Sequence, residues 1–193
     1  MIHNISSQIA SILVRHGEAT EENADIYTYA IEAVIAALFN IAICLTIAIL
    51  FGRVVEGIVF MSAFVLLRRF TGGYHANTHF KCILIFSILF TCAMIMTSFA
   101  PIFNPSILIP SIIAAISWFG IAIFAPINDK NKSHSNVFKK RIKKKSILAS
   151  TLLFTLCIIA GLFFNNHIAF ALSLAMLSVF AGLLYLHTMG KQR

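Results

Sequence analysis

Residues 29–51 read YAIEAVIAALFNIAICLTIAILF, a run of 23 residues interrupted mainly by Glu32 and Asn40. Roughly 20 predominantly apolar residues are enough to cross the hydrocarbon core of a bilayer as a helix. The run therefore predicts a membrane-spanning helix, and the rest of the chain reads the same way. Of 193 residues, 59% are hydrophobic and 11% charged, whereas a soluble domain carries about 25% charged residues. That composition excludes an ordinary soluble domain. It predicts an all-α, polytopic membrane helical bundle occupying residues 1–193 as a single integral-membrane domain.

Outward from residues 29–51, further apolar runs cover 83–100, 106–125, 147–164 and 168–187. Pro101 with Pro105, then Pro126, mark turns between them, and Asn165-Asn166-His167 forms a polar break. Residues 54–67 are apolar apart from Glu56, but so short a segment fits either a supported short span or a re-entrant one. The expectation is thus about five to six membrane segments. Ahead of them, residues 3–14 place Ile5, Ile9, Ile12 and Leu13 at helical spacing among Asn4, Ser6, Ser7, Gln8 and Ser11. This predicts an amphipathic helix, too short to span, that lies in the membrane interface or packs on the other helices. Glu18, Glu21, Glu22 and Asp25 form an acidic connector. Residues 1–14 lack the basic segment and small-residue cleavage site of a secretory signal peptide.

The net charge is +8, yet eight of the fifteen Lys and Arg residues fall within 130–145. With no nucleic-acid reading module beside it, the run predicts a basic cytoplasmic loop over 126–146, set against membrane lipid headgroups. Nucleic acid is not an expected partner. Lys191 and Arg193 follow two spans later on the same side. Counting back through the hairpin of 83–100 and 106–125 puts residues 68–82 at the cytoplasmic face as well.

Residues 68–82, RRFTGGYHANTHFKC, are a polar island in this apolar chain. Cys44, Cys92 and Cys157 lie inside apolar runs, where a cysteine behaves as a small hydrophobe. No CxxC spacing suggests a disulfide framework or zinc knuckle. Cys82 alone has basic neighbours, Lys81 beside it and Arg68 and Arg69 upstream. A catalytic thiolate needs such positive surroundings and a base to exchange protons with. On a straight helix His79 and Cys82 are i,i+3 neighbours, about 5–6 Å apart at Cβ. His75 and Cys82 would be separated by about 10.5 Å along the axis, beyond hydrogen-bond reach. Helical geometry alone favours His79, unless the segment bends or His75 serves a second subunit. Gly72-Gly73 permits a sharp turn just upstream.

Two other chemistries compete. His75, His79 and Cys82 fall at i, i+4 and i+7, and a stripe of two imidazoles and a thiolate is an acceptable zinc set. Against it, Ala76 stands where a metalloprotease HExxH carries glutamate, and no carboxylate lies between Glu56 and Asp129. A small transporter would bury ionisable residues at mid-membrane in paired repeats. Here no repeat is visible, and the polar cluster sits at a span end.

At these residues the chain resembles the accessory gene regulator protein B (AgrB) family of membrane cysteine endopeptidases. The shared features are Arg68-Arg69, then Gly72-Gly73-x-His75-Ala76-x5-Cys82, then Ala125-Pro126, Asn131-Lys132 and the Lys139-Lys140-Arg141-x-Lys143-Lys144-Lys145-Ser146 run. The resemblance covers essentially the whole chain. It implies a cell-membrane enzyme of Gram-positive quorum sensing, with His75 as base and Cys82 as nucleophile. Arg68, Arg69, Gly72, Gly73 and Lys81 would shape the site or bind substrate, with neither metal nor other cofactor. The implied substrate is a small precursor peptide with an amphipathic leader and an acidic C-terminal tail. Tail cleavage would be coupled to thiolactone or lactone closure by a homodimer. His79 has no part in that pattern, so residues 72–82 should depart from one regular helix or the site should be shared between subunits. Asn77 and Asp129 are candidates for a third catalytic residue.

Overall fold

The computed structural model describes residues 2–16, 20, 23–72, 79–103, 106–125 and 136–191. Among them the chain forms seven helices and no strand: α1 (Ile2–Arg15), α2 (Ala24–Leu50), α3 (Val54–Thr71), α4 (His79–Phe103), α5 (Leu108–Phe124), α6 (Asn136–Phe163) and α7 (Asn166–Lys191). Four segments are long and apolar enough to cross a membrane: Ala24–Leu50, Phe80–Phe99, Lys140–Phe163 and Asn166–Thr188. The apolar Leu108–Phe124 is shorter. Large apolar side chains such as Leu38, Ile88, Phe119 and Leu162 face outward, as suits helices whose backbone bonds are internal and whose surroundings are lipid. This is the all-helical membrane architecture expected from the composition.

The chain divides into two compact units, one of residues 1–44 and 76–88, the other of 45–75 and 89–193. In the first, α1 buries the small residues Ser6 and Ala10, while Ile5, Ile9 and Ile12 stay exposed. The apolar stripe of this amphipathic helix is therefore not its packing face. His3 Nδ1 lies 2.6 Å from Glu32 Oε1 and ties α1 to α2.

The second unit is built around α7, which packs against α3, α5 and α6. Every residue from Ala169 to Met176 is buried, the signature of a helix apolar all round. Ala169, Ala171, Ser173 and Ala175 are small, which lets membrane helices approach closely. Gly120 of α5 serves the same end: a Cβ there would stand 2.1 Å from Phe180 Cε2. The α6–α7 connection is only Phe164 and Asn165. Asn165 Oδ1 accepts from the His167 amide at 3.0 Å, a side-chain cap for the first turn of α7.

Three helix boundaries differ from the sequence reading, each for a physical reason. The helix expected over residues 54–67 runs on to Thr71, so Arg68 and Arg69 are its last turn, where cations complement the helix dipole. The basic segment expected as a loop over 126–146 is helical from Asn136 onward, because Lys and Arg are good helix formers. The helix expected to stop at residue 100 continues through Pro101 to Phe103. Pro101 has no amide hydrogen for the Thr97 carbonyl, which would normally disfavour this. His167 Nδ1 lies 3.0 Å from that carbonyl oxygen and must donate to it, since a carbonyl only accepts.

Candidate active site

Cys82 stands in the first turn of α4, which starts at His79, and its side chain is half-buried. A helix N-terminus presents amides without intrahelical partners and a positive dipole end. Lys81 and Phe80 beside it are exposed. The other cysteines differ. Cys44 and Cys157 are fully buried, and the Cys157 thiol reaches the Ala169 carbonyl at 3.3 Å. Cys92 is exposed on the apolar helix α4.

On the other side of the polar segment, α3 ends at Thr71. Gly72 takes φ 74° and ψ −175°, a left-handed conformation that favours glycine. Helix α3 therefore stops at Thr71, and α4 begins at His79. Gly73, His75, Asn77 and Asp129 lie outside the described residues. The spacing between His75 and Cys82, and the zinc stripe expected of His75, His79 and Cys82, lie outside them too.

The cations near the end of α3 form a group. Arg68 places its guanidinium 5.7 Å from the centre of the Phe64 ring, within cation–π range. Arg69 is exposed, as are Lys140, Arg141, Lys143, Lys144 and Lys145 on the opening turns of α6. One hydrogen bond brings the two helices into register. The Ser146 hydroxyl, fully buried, lies 2.7 Å from the Phe70 carbonyl oxygen and 3.1 Å from that of Ile142 in its own helix. Thr71, also fully buried, turns its hydroxyl toward the Leu67 and Gly72 carbonyls, both at 3.0 Å. Two side-chain hydroxyls thus surround the end of α3 where helical carbonyls lose their partners.

At the opposite end of α3, Arg53 Nη1 and Glu56 Oε1 form an ion pair at 3.1 Å, with Glu56 buried. Sequence reasoning assigned no site role to Ser146, Thr71 or this pair. A serine following a cationic run offered a signal, but its partner lies 76 positions away.

A profile of the family described as accessory gene regulator B matches residues 6–186. The chain is 29% identical over 171 residues to AgrB-like protein 2 of Clostridium perfringens strain 13, covering 86% of this chain and 80% of that protein. It is 28% identical to an AgrB-like protein of C. perfringens strain SM101, with the same coverage. It is 22% identical over 151 residues to an AgrB-like protein of Lactiplantibacillus plantarum, covering 78% and 74% of the two chains. No solved structure matches it. With apolar helices long enough to cross a bilayer and a family match from residue 6 to residue 186, the chain belongs to the accessory gene regulator B family and is a membrane protein of the agr quorum-sensing system.

Proposed function

We propose that the protein is a membrane-embedded cysteine endopeptidase that trims a small precursor peptide and closes its ring. The observation that carries this reading is Cys82. Alone among the four cysteines it is half-buried in the first turn of a helix and follows a polar segment bearing histidines. His75 acts as its base and takes the thiol proton. The Cys82 Sγ then attacks the carbonyl carbon before the C-terminal tail. The carbon–nitrogen bond breaks, and His75 returns the proton to the departing amine. The acyl group remains on the enzyme as a thioester.

A thiol inside the precursor attacks that thioester, Cys82 leaves as a thiolate, and a thiolactone ring results. With a precursor hydroxyl in its place the product is a lactone. Exchanging one thioester for another is nearly neutral in energy, so closure must outrun water. Holding the thiol beside the acyl group raises its effective concentration, and a site at the membrane edge limits hydrolysis. An acidic tail suits the cations at Arg69 and on the opening turns of α6, and an amphipathic leader suits the interface that α1's exposed isoleucines would also occupy. The active site faces the cytoplasm, where the positive-inside rule puts its cations, and the protein works as a homodimer, as the family resemblance implies.

The test is precursor processing in liposomes, followed by mass spectrometry. Cys82→Ala and His75→Ala are each expected to lower turnover by about 1,000-fold or more. His79→Ala and a chelator should leave it unchanged. Processing that survives Cys82→Ala removes the acyl-enzyme route, and loss on chelation installs the zinc stripe in its place. A wild-type protein that processes no candidate precursor points back to transport.

A further inference from the structure

We infer that the side of α6 next to α5 binds one anionic phospholipid, with its headgroup on Lys140 and Lys144 and an acyl chain along Leu148 and Trp118. Lys140, Lys144, Leu148 and Thr151 follow one another at i, i+4, i+8 and i+11, which puts them on one side of the helix. Both lysines are exposed, and Leu148 is 70% exposed. Further along, Thr151 accepts a hydrogen bond at 2.9 Å from the Trp118 indole of α5. The Trp118 ring also lies against Phe154, with centres 6.3 Å apart. Cations, an open aliphatic side chain and a half-buried aromatic pair thus succeed one another along a single stripe. Ser146, which meets α3, is two residues from Lys144 and so does not share that side.

The depth of each group fits a phospholipid. Helix α6 has 28 residues, about 42 Å at 1.5 Å per residue, whereas the hydrocarbon core is about 30 Å thick. About 20 residues fill that core, so its edge, counted back from Phe163, falls at Lys144. Lys140 is one turn further out, among the headgroups, and the long Lys144 side chain reaches the same layer. Thr151 and Trp118 lie about 10 Å deeper than Lys144, at the level of the acyl chains. With its N–H given to Thr151, the indole offers those chains an apolar surface. The lysines also select the headgroup. Among the described residues of this unit the sole acidic side chain is Glu56, and it is paired with Arg53. An anionic phosphodiester supplies the missing charge, whereas a zwitterionic lipid brings an ammonium that opposes the lysines. A second copy docking through the same stripe would set lysine against lysine.

Trp118 is the single tryptophan of the chain, so its fluorescence reports on this stripe. The full chain is reconstituted in mixed vesicles of phosphatidylglycerol and phosphatidylcholine, with one or the other lipid brominated on its acyl chains. The relative binding constant from quenching should favour phosphatidylglycerol about fivefold. Lys140→Gln combined with Lys144→Gln should bring it to about one, and the corresponding pair of Arg substitutions should keep it near fivefold. Arg69→Gln combined with Lys145→Gln removes the same charge from α3 and from another side of α6, and should leave the preference intact. Equal quenching by the two lipids in wild type overturns the assignment. Two Gln pairs that behave alike overturn it too, since the preference then belongs to the surface as a whole. Quenching by neither lipid shows the stripe covered by a second copy and is equally fatal. No precursor is used, so the result is independent of the peptidase reading.

Discussion

At the Val54 end of α3, Arg53 meets Glu56 at 3.1 Å and the positive charge is answered within the helix's own first turn. At the Thr71 end, Arg69 is exposed, and the helix joined there by Ser146 contributes Lys143, Lys144 and Lys145 within about one turn, or about 5 Å. Among the described residues of this unit, Glu56 is the sole acidic side chain. One end of the helix is thus electrically closed and partly withdrawn from solvent. The other gathers cations with no described carboxylate beside them. A closed pair stabilises a particular arrangement of the chain, whereas accumulated like charge raises the energy of the folded protein unless an external anion offsets it. The Val54 end therefore has the character of a structural fastening, and the Thr71 end is the one that our proposal assigns to the acidic tail of the precursor.

The largest effect should come from opening the closed end. Glu56→Ala leaves the partly buried Arg53 without its partner and should lower stability by about 2–3 kcal/mol, read as a fall in thermal midpoint, with KM for precursor unaltered. Replacing both residues by Met should recover most of that loss. A Glu56→Ala protein of normal midpoint and raised KM would place recognition at the wrong end and dissolve the contrast. Reversing Lys143, Lys144 and Lys145 to Glu should do the opposite. KM for an acid-tailed precursor should rise about tenfold at low salt and converge with wild type as ionic strength grows, while the midpoint stays put. The smallest effect concerns another closed helix end. His167→Ala should cost about 1 kcal/mol by freeing the Thr97 carbonyl. Adding Pro101→Ala, which restores an amide hydrogen, should return it. A double-mutant cycle with no coupling would show that His167 does not complete α4.

These features divide sharply by how far apart their parts lie in the sequence. The apolar runs that announced α2, α5 and α7 are local, and so is the spacing of Ile5, Ile9 and Ile12 that marked α1 as amphipathic. Arg68 and Arg69 open the polar island that follows the apolar residues 54–67. They form the last turn of α3, and the Phe70 carbonyl there meets Ser146, which the sequence places 76 positions away. Pro101 looked like a terminator because it has no amide hydrogen to give, and His167 supplies the missing donor from 70 positions beyond Thr97. Cys82 could be singled out because its neighbours are basic, and it stands in the first turn of α4. The bonds that close the end of α3 could not be read from residue types, since Ser146 and Thr71 act on carbonyls that every residue possesses.

The central place of α7, buried throughout from Ala169 to Met176, also bears on how the protein is made. Helices α3, α5 and α6 all pack against it, yet each precedes it in the chain. Synthesis at about 5–20 residues per second separates the appearance of α3 from that of α7 by on the order of ten seconds. During that interval the earlier helices reside in the bilayer without the one they are shaped to hold. Gly120 then awaits the Phe180 ring, and Thr97 awaits the imidazole of His167. Assembly of this unit is accordingly a late event that follows insertion, and a ribosome paused before residue 166 should leave its helices inserted but unassembled.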